Sequence, residues 1–380
     1  MRVVIDGTDC LYGERAIRRH VANIVRLVGT FGEDIDYRVF LTRFRASPYG
    51  APPPSRPRVA VKTVWCPPRI FHALNSRCGL FSVDRFTGAA DVFHASGVGL
   101  PRCRAREYIY TAAGFVVFAR PDLVPSAYAA RLAGAIRHAL PHITHFLAVS
   151  ETTRKEVIEA LQFPPEKVSA IPLGIDPEFR PLCPEDSARA LGARVRIRRP
   201  YVLYLGGIDK RKNTAGLVRA FALAARTALA RHQLVLVGPT YWIDREIKDA
   251  IAAADLGDRI LLAGPHAGED LVRFYAAADL FVFPTFYEGW TSPPLEAMAC
   301  GIPVVASNAS SVPETVGDAA VLVDPNDPAD IARGMCRVVE DAALRESLRA
   351  KGFARAAMFT WERAIRSTVD LYLRLGAAAG

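Results

Sequence analysis

Two acidic residues, Glu288 and Glu296, bracket a loop rich in glycine, hydroxyl and proline residues. The surrounding segment, 283–305, reads FPTFYEGWTSPPLEAMACGIPVV and predicts a strand, a loop, a helix that begins near Pro294, and a second strand. Glu288 is therefore expected in the loop and Glu296 in the first turns of the helix. Two carboxylates at different depths could accept hydrogen bonds from different hydroxyl groups of one nucleotide sugar. The spacing does not demand a glycosidase pair that flanks a single bond.

The loop between the two acids is suited to an anion. A helix amino terminus favours negative charge, and the residues before it can direct backbone N–H groups outward. Pro293 and Pro294 carry no N–H, so the donors must come from the residues around them: Gly289, Trp290, Thr291 and Ser292. This predicts a diphosphate site. The plainer alternatives are a helix-stabilising role for Glu296 and a solvated loop position for Glu288.

The elements that position these residues alternate along the chain. Apolar, β-rich runs are followed by helical patterns, which predicts parallel sheets covered by helices. The alternation starts again at Tyr201 with a strand and a helix over 213–229, and a proline-rich stretch, 171–184, precedes it. We therefore expect an α/β fold with two facing, doubly wound (Rossmann-like) domains and a cleft at the carboxyl ends of their strands. The expected boundaries are 1–172 and 191–360 for the domains, 173–190 for a connector, and 361–380 for a helix that bridges back to the first domain.

Composition excludes several classes of protein. At 380 residues, 51% hydrophobic and 23% charged, the chain is too apolar to be mainly disordered. It shows neither a spanning apolar run nor a signal-peptide pattern at its start. Its seven scattered cysteines include no C-x-x-C pair, so neither a disulfide framework nor a zinc site is expected, and a reducing cytoplasm is the expected compartment. The D-x-D of Asp34 and Asp36 precedes a predicted strand instead of following one, so no metal is expected.

Positive charge is concentrated in the first half of the chain. Residues 1–180 contain 24 Lys and Arg against 16 Asp and Glu, whereas residues 181–380 contain 24 against 23. No nucleic-acid-binding pattern accompanies this charge. The stretches 65–86 and 128–145 mix apolar and basic residues, which favours an anionic membrane surface or a phosphate-bearing acceptor as partner. Solvated arginines and an ordinary amphipathic helix remain the plainer alternatives.

Residues 288–305 resemble the E-x7-E signature of family 4 (group 1) retaining glycosyltransferases, which have the GT-B architecture. Further similarities extend the resemblance over most of the chain. The second-domain motifs are specific: LGGIDKRKN at 205–213 and ASNASSVPE at 306–314. The first-domain motifs, DVFHA at 91–95 and AVSETTR at 148–154, are weaker, and IPLGIDP at 171–177 is similar to the domain connector. The resemblance implies that the first domain binds the acceptor and the second binds a nucleotide sugar.

The resemblance also implies roles for individual residues. Glu288 would lie beside the transferred sugar and Glu296 would bind the ribose hydroxyls. Arg211 and Lys212 would neutralise the diphosphate together with the amides of residues 290–292, since the leaving diphosphate gains charge as the glycosidic bond breaks. Further residues are assigned to donor binding in the same way: Gly13, Gly207 and Leu295. A solvated Lys212 and a plain turn at Gly13 are the alternatives.

Two departures from the family pattern affect these roles. Many relatives carry a His-Asp pair where this chain has Ala113 and Gly114, and many carry an arginine where Gly207 stands. The first loss bears on the positioning of the sugar, and the second leaves more of the diphosphate charge to the neighbouring basic pair. His94 could compensate for the missing histidine at the cleft, or it could be a structural residue.

The function expected from this resemblance is retaining transfer of a hexose, with mannose from GDP-mannose as the specific expectation. The acceptor would be a glycan or an undecaprenyl-diphosphate-linked glycan in cell-surface polysaccharide synthesis, at the cytoplasmic face of the membrane. No cofactor or metal beyond the donor is expected. The alternatives are a GT-B phosphorylase or epimerase, and a non-catalytic subunit that binds a nucleotide sugar or acts as a scaffold.

Overall fold

The computed structural model describes residues 1–12, 15–44, 46–47, 52–78, 81–97, 100–192, 194–240 and 243–377. The chain divides into two compact units. The first comprises Met1–Gly174 and Trp361–Gly380, and the second comprises Ile175–Thr360. No helix among these described ranges is both long enough and apolar enough to cross a membrane.

The first unit is built on a parallel sheet of seven described strands. Its order is β3-β2-β1-β4-β5-β6-β7, so the direction of winding reverses between the neighbours β1 and β4. Val3 and Val4 of the central strand are completely buried, as expected for a parallel strand covered on both faces. The strands are β1 Arg2–Asp6, β2 Asp36–Arg43, β3 Val59–Trp65, β4 Ala90–Ser96, β5 Ala105–Ala112, β6 His145–Ala148 and β7 Val168–Ala170.

The second unit repeats this arrangement with six described strands. Its order, β10-β9-β8-β11-β12-β13, again reverses beside the first strand, between β8 and β11. All strand pairs in the sheet are parallel. The strands are β8 Tyr201–Leu205, β9 Gln233–Val237, β10 Ile260–Gly264, β11 Leu280–Phe283, β12 Val304–Ser307 and β13 Val321–Val323.

Helices connect the parallel strands, which cannot be joined by tight hairpins. In the first unit they are α1 Asp9–Tyr12, α2 Arg15–Leu27, α3 Pro68–Cys78, α4 Asp84–Thr87, α5 Val116–Ala119, α6 Ser126–Ala139 and α7 Glu151–Leu161. In the second unit they are α8 Pro184–Gly192, α9 Thr214–Ala224, α10 Arg245–Ala254, α11 Glu269–Ala276, α12 Ser292–Ala299, α13 Val312–Val316, α14 Pro328–Glu340 and α15 Ala342–Ala356. The last helix, α16 Trp361–Ala377, belongs to the first unit.

The predicted α/β class with two parallel, doubly wound sheets is confirmed. Two details were wrong. The predicted helix 213–229 is shorter, because α9 starts at Thr214 and ends at Ala224. The short strand β7 was not predicted.

Candidate functional site

The candidate site lies in the second unit, where its sheet reverses its winding direction. The neighbours β8 and β11 both end there, and the loops 206–213 and 284–291 follow them. Open α/β sheets bind ligands at such a point, beyond the carboxyl ends of the strands. Because the strands are parallel neighbours, the loops bring Arg211 and Lys212 to Glu288 although about 77 residues separate them in the chain.

Three side chains converge on one carboxylate oxygen of Glu288, Oε1. The ammonium group of Lys212 lies 2.5 Å from it, and the guanidinium Nη1 of Arg211 donates to it at 3.0 Å. The hydroxyl of Thr285 lies at 3.0 Å as well. The side chains of Glu288 and Lys212 are only 9% and 10% exposed, whereas that of Arg211 is 23% exposed. The cluster therefore holds two cations and one anion with little solvent around them.

Electrostatics keep this carboxylate ionised. Burial by itself would raise the pKa of Glu288, but the charges of Lys212 and Arg211, with hydrogen bonds from Lys212 and Thr285, lower the pKa below its usual value. Burial also lowers the pKa of Lys212, and the charge of Glu288 opposes that shift. Each charge in the cluster therefore depends on the others for its compensation.

The two loops are also joined through their backbones. The amide of Phe286 donates to the carbonyl of Arg211 at 3.0 Å, and the Arg211 guanidinium donates back to the carbonyl of Tyr287 at 3.0 Å. The Thr285 hydroxyl, which is completely buried, lies between these groups. Arg211 is therefore held at Glu288 by main-chain contacts in addition to its charge.

The glycine turn after β8 positions Lys212. The backbone amide of Lys212 donates to Oδ1 of Asp209 at 2.9 Å, and the Lys212 ammonium group lies 4.8 Å from the centre of the Phe283 ring. A Cβ atom at Gly207 would lie 2.6 Å from Oδ2 of Asp209. Glycine at position 207 thus leaves room for the carboxylate that orients the lysine backbone.

Two serines that the sequence analysis did not assign hold the main chain of Glu288. The hydroxyls of Ser310 and Ser311 donate to its carbonyl at 2.5 and 2.9 Å, and the Ser310 oxygen lies 3.2 Å from its amide. Ser310 has a φ of 55°, a left-handed conformation that is uncommon for serine. Both serines follow β12, the neighbour of β11. This position after the neighbouring strand is the sequence signal that could have placed them near Glu288.

The second predicted acid, Glu296, lies in a different environment. It is in α12 and is 1% exposed, and its Oε2 accepts a hydrogen bond from the hydroxyl of Tyr275 at 3.0 Å. Tyr275 belongs to α11 and is itself completely buried. The ribose-binding role of Glu296 stays a prediction.

The helix α12 contains Glu296 and begins at Ser292, two residues before Pro294. Prolines are tolerated in the first turn of a helix, because its N–H groups have no partner within the helix. Among the predicted diphosphate residues, Ser292 is half-buried, and the others, with Leu295, are buried: Gly289, Trp290 and Thr291. The indole ring of Trp290 packs against the phenyl ring of Phe359, with 5.2 Å between the ring centroids.

Two of the predicted site residues, Gly13 and His94, belong to the first unit. Gly13 lies outside the described residues. His94, on β4, is 1% exposed, and its ring nitrogens lie 2.5 Å from the hydroxyl of Tyr372 and 2.6 Å from that of Thr111. The structure thus accounts for His94 by packing within the first unit, and its donor-binding role stays a prediction.

No group of three or more His, Cys, Asp or Glu side chains in the described ranges is arranged to hold a metal ion. In the D-x-D segment, Asp36 lies in β2 and accepts hydrogen bonds from Arg2 at 2.9 Å and from Arg38 at 3.0 Å. Arginine side chains therefore compensate this carboxylate.

Comparison with known proteins gives consistent matches in both halves of the chain. Residues 194–355 match the family model described as Glycosyl transferases group 1. Residues 17–179 match the model described as Glycosyltransferase Family 4. The first range contains the whole cluster around Glu288.

Individual relatives agree with these family matches. The O-antigen chain mannosyltransferase B of Escherichia coli is 32% identical over 281 residues, which are 74% of this chain and 74% of that protein. The serotype-specific mannosyltransferase WbdA of Escherichia coli is 28% identical over 60% of this chain, and the match spans 28% of its length. The structure of Anabaena HepE in complex with UDP-glucose superposes with a TM-score of 0.71 at 17% identity, covering 98% of this chain and 99% of that one.

Proposed function

Because the chain belongs to the group 1, family 4 glycosyltransferases, we propose that it transfers mannose from GDP-mannose to a growing cell-surface glycan. Glycosyl transfer follows from the family. The choice of mannose rests on the relatives named as mannosyltransferases, one of which acts on the O-antigen chain. The fold neighbour HepE was solved with UDP-glucose, so the base and the sugar are the parts of the proposal that need an experiment.

One observation carries the proposal: a buried carboxylate is held by an adjacent Arg-Lys pair at the winding reversal of the second sheet. Arg211, Lys212 and Glu288 together bear a net charge of +1. A nucleotide diphosphate is an anion that such cations stabilise, and they stabilise it most when the sugar bond breaks and the phosphate gains charge. Their fixed contacts mean that little reorganisation is needed at that moment.

The proposed reaction breaks the bond between the sugar C1 and the diphosphate oxygen, and forms a bond from C1 to an acceptor hydroxyl oxygen on the same face. The acceptor proton passes to the departing phosphate. Lys212 and Arg211 would stabilise the diphosphate. Since the three contacts to Glu288 all fall on Oε1, its Oε2 would accept from a hydroxyl of the transferred sugar.

The remaining donor contacts are proposed on the family resemblance. The backbone around residues 290–292 and Leu295 would line the diphosphate, and Glu296 would bind the ribose. Gly207 would border the same donor from the β8 turn. No cofactor or metal is assigned a role.

The acceptor is proposed to be a glycan, in its lipid-linked form an undecaprenyl-diphosphate glycan. The enzyme would then work in the cytoplasm at the inner face of the membrane. The basic first unit is consistent with an acceptor that carries phosphate.

A thermal-shift screen against GDP-mannose and matched UDP-, ADP- and dTDP-sugars tests the donor. A donor at about 100 times its Kd should add about 2.7 kcal/mol to the free energy of unfolding. Slow release of GDP without acceptor, together with transfer to a mannan primer, is the expected activity. Stabilisation by a UDP-sugar alone would overturn the GDP assignment.

The departure at Ala113 and Gly114 favours one alternative, a subunit that binds the donor without turning it over. That alternative predicts donor-induced stabilisation but no release of nucleotide diphosphate, with or without acceptor. Turnover with inorganic phosphate and no nucleotide would instead indicate a phosphorylase.

A further inference from the structure

A buried tyrosine holds the second acid of the candidate site. The hydroxyl of Tyr275 donates to Oε2 of Glu296 at 3.0 Å, although the two residues are 21 positions apart in the chain. Tyr275 lies in α11, which precedes β11, and Glu296 lies in α12, which follows it. A side-chain hydrogen bond therefore joins the two helices on either side of this strand in the sequence.

Packing fixes the position of the Tyr275 hydroxyl. Its ring is completely buried, and the ring centroid lies 5.4 Å from that of Phe281 and 5.8 Å from that of Phe179. A tyrosine side chain turns about only two bonds, so a ring enclosed on both sides leaves its hydroxyl one position. The donor to Glu296 is therefore held at a fixed point of the second unit.

This contact constrains the direction of the Glu296 carboxylate. The last torsion of a glutamate side chain has broad minima, so without a fixed donor its two oxygens can turn. With Oε2 held by Tyr275, the plane of the carboxylate is set, and the lone pairs of Oε1 point in a set direction. Because Glu296 is only 1% exposed, bulk water competes little for these lone pairs, and a hydrogen bond to them is stronger than in solvent.

We propose that Tyr275 is a positioning residue for recognition of the donor ribose. It aims Glu296 so that the carboxylate accepts from the 2′- and 3′-hydroxyls, and a nucleotide without these hydroxyls leaves a buried acceptor unpaired. The inference rests on the ribose-binding role of Glu296 in the proposed function, and it adds the selection of ribonucleotide over deoxyribonucleotide donors. A tyrosine that only keeps a buried acid hydrogen-bonded predicts no such selection.

Calorimetric titration of the full chain measures this selection. GDP, UDP and ADP are each compared with their 2′,3′-dideoxy analogues, so that the result does not depend on the base. The wild type should bind the ribonucleotide at least about thirtyfold more tightly than its analogue, in line with hydrogen bonds to a charged acceptor. Tyr275→Phe, which keeps the ring, should lower this ratio about tenfold by weakening the ribonucleotide while leaving the Kd of the analogue unchanged.

Tyr201→Phe is the matched control. Tyr201 is also completely buried, and its hydroxyl donates at 2.6 Å to the carbonyl of Phe274, the neighbour of Tyr275 in α11. This variant removes a tyrosine hydroxyl from the same helix but not from Glu296, so the ratio should stay at its wild-type value. Circular dichroism checks that each variant is folded.

A double variant tests whether Tyr275 acts through the acid. Glu296→Gln should itself abolish most of the ratio, because the charged acceptor is gone. Adding Tyr275→Phe to Glu296→Gln should then change the ratio less than about twofold. A further drop as large as in the wild-type background would contradict action through Glu296.

Two results would overturn the inference and leave the proposed donor standing. One is equal weakening of the ribonucleotide and its analogue by Tyr275→Phe, and the other is an equal loss of the ratio in Tyr201→Phe. In both cases the wild type still binds a nucleoside diphosphate. Failure of the wild type to bind any of the three nucleotides would instead overturn the proposed function together with this inference.

Discussion

The ammonium group of Lys212 lies 2.5 Å from Oε1 of Glu288, and both side chains are about nine-tenths shielded from solvent. Such a pair contributes little net stability while it is intact, because its attraction offsets the cost of removing both charges from water. Removing only one partner of the pair is different, because the charge that remains is buried without compensation. The pair is therefore suited to holding a fixed cation at a position where an anionic leaving group forms.

Replacement of Glu288 should affect both activity and stability. Glu288→Ala leaves the buried cation of Lys212 beside the partly buried cation of Arg211, which should lower the free energy of unfolding by about 3–5 kcal/mol. Transfer should fall at least about a hundredfold. The hydroxyl of the transferred sugar loses the Glu288 oxygen to which it would donate, and the two cations lose the carboxylate that holds them in position. Urea unfolding and release of nucleotide diphosphate measure the two effects.

Glu246→Ala is the control for this prediction. Glu246 pairs with Arg219 at 2.9 Å in the same unit, but the two side chains are 52% and 47% exposed. An exposed pair contributes at most about 1 kcal/mol. Comparable losses in the two variants would contradict the buried arrangement, and normal transfer by Glu288→Ala would refute the catalytic assignment.

Ser310→Gly should slow transfer while leaving the fold intact. Glycine accepts the positive φ of this position but lacks the hydroxyl that lies 2.5 Å from the Glu288 carbonyl. We expect kcat to fall about tenfold, in line with the loss of one or two hydrogen bonds, with a smaller change in KM. Steady-state kinetics, with the donor that the thermal-shift screen identifies, measure both kcat and KM. The exposed Ser347→Ala serves as reference, and an unchanged kcat in Ser310→Gly would show that Ser310 does not position Glu288.

The features that could be predicted from the sequence are those that depend on residues close together in the chain. The alternation of strands and helices predicted both sheets, and Glu288 could be placed in the loop after a strand. Arg211 and Lys212 were assigned from the family resemblance. The Ser310 contact joins residues 22 positions apart, and it depends on β11 and β12 being neighbours. The hydrogen bond from Tyr275 to Glu296 likewise requires knowing how α11 and α12 lie.

The ends of elements were the least predictable part, for physical reasons. The residues of α9 are apolar on nearly all sides, with eight of eleven buried, so no change of pattern marks its end at Ala224. For α12, both prolines fit the first turn, so the sequence did not distinguish a start at Ser292 from one at Pro294.

Gly216→Ala should destabilise the second unit, although alanine normally favours helices. A Cβ at Gly216 would lie 2.3 Å from Oδ1 of Asn213. The side-chain amide of Asn213 donates to the carbonyls of Pro284 and Pro325 at 3.0 and 2.7 Å, so displacing this side chain would release two loops. We expect a loss of about 1–3 kcal/mol in urea unfolding. Gly134→Ala, a helical glycine with open space around it, should be neutral or stabilising by up to about 1 kcal/mol. The same gain at both positions would contradict the packing at Asn213.

Acid should destabilise the first unit through two buried histidines. Burial lowers the pKa of His94 to about 3, with a further contribution from His20, and lowers the pKa of His20 to about 4. In the unfolded chain both pKa values return to about 6.5, so between pH 6.5 and 4 the unfolded state binds more protons than the folded state. The contribution of the neutral histidines to the free energy of unfolding is therefore fully present above about pH 6.5. It decreases as the pH falls, by up to about 1.4 kcal/mol per pH unit for each histidine.

His94→Gln should make this dependence shallower by about one proton, whatever its effect on stability at neutral pH. The expected difference is about 1.4 kcal/mol per pH unit between pH 4.5 and 6 in urea unfolding followed by circular dichroism. His138→Gln, at an exposed position on α6, is the matched control. Because His94 lies 2.5 Å from the Tyr372 hydroxyl of α16, the protection of α16 amides from hydrogen exchange, relative to their intrinsic rate at each pH, should fall with pH in the wild type and change less in His94→Gln. Equal slopes in the wild type and His94→Gln would mean that His94 is already protonated in the folded chain or reaches solvent there.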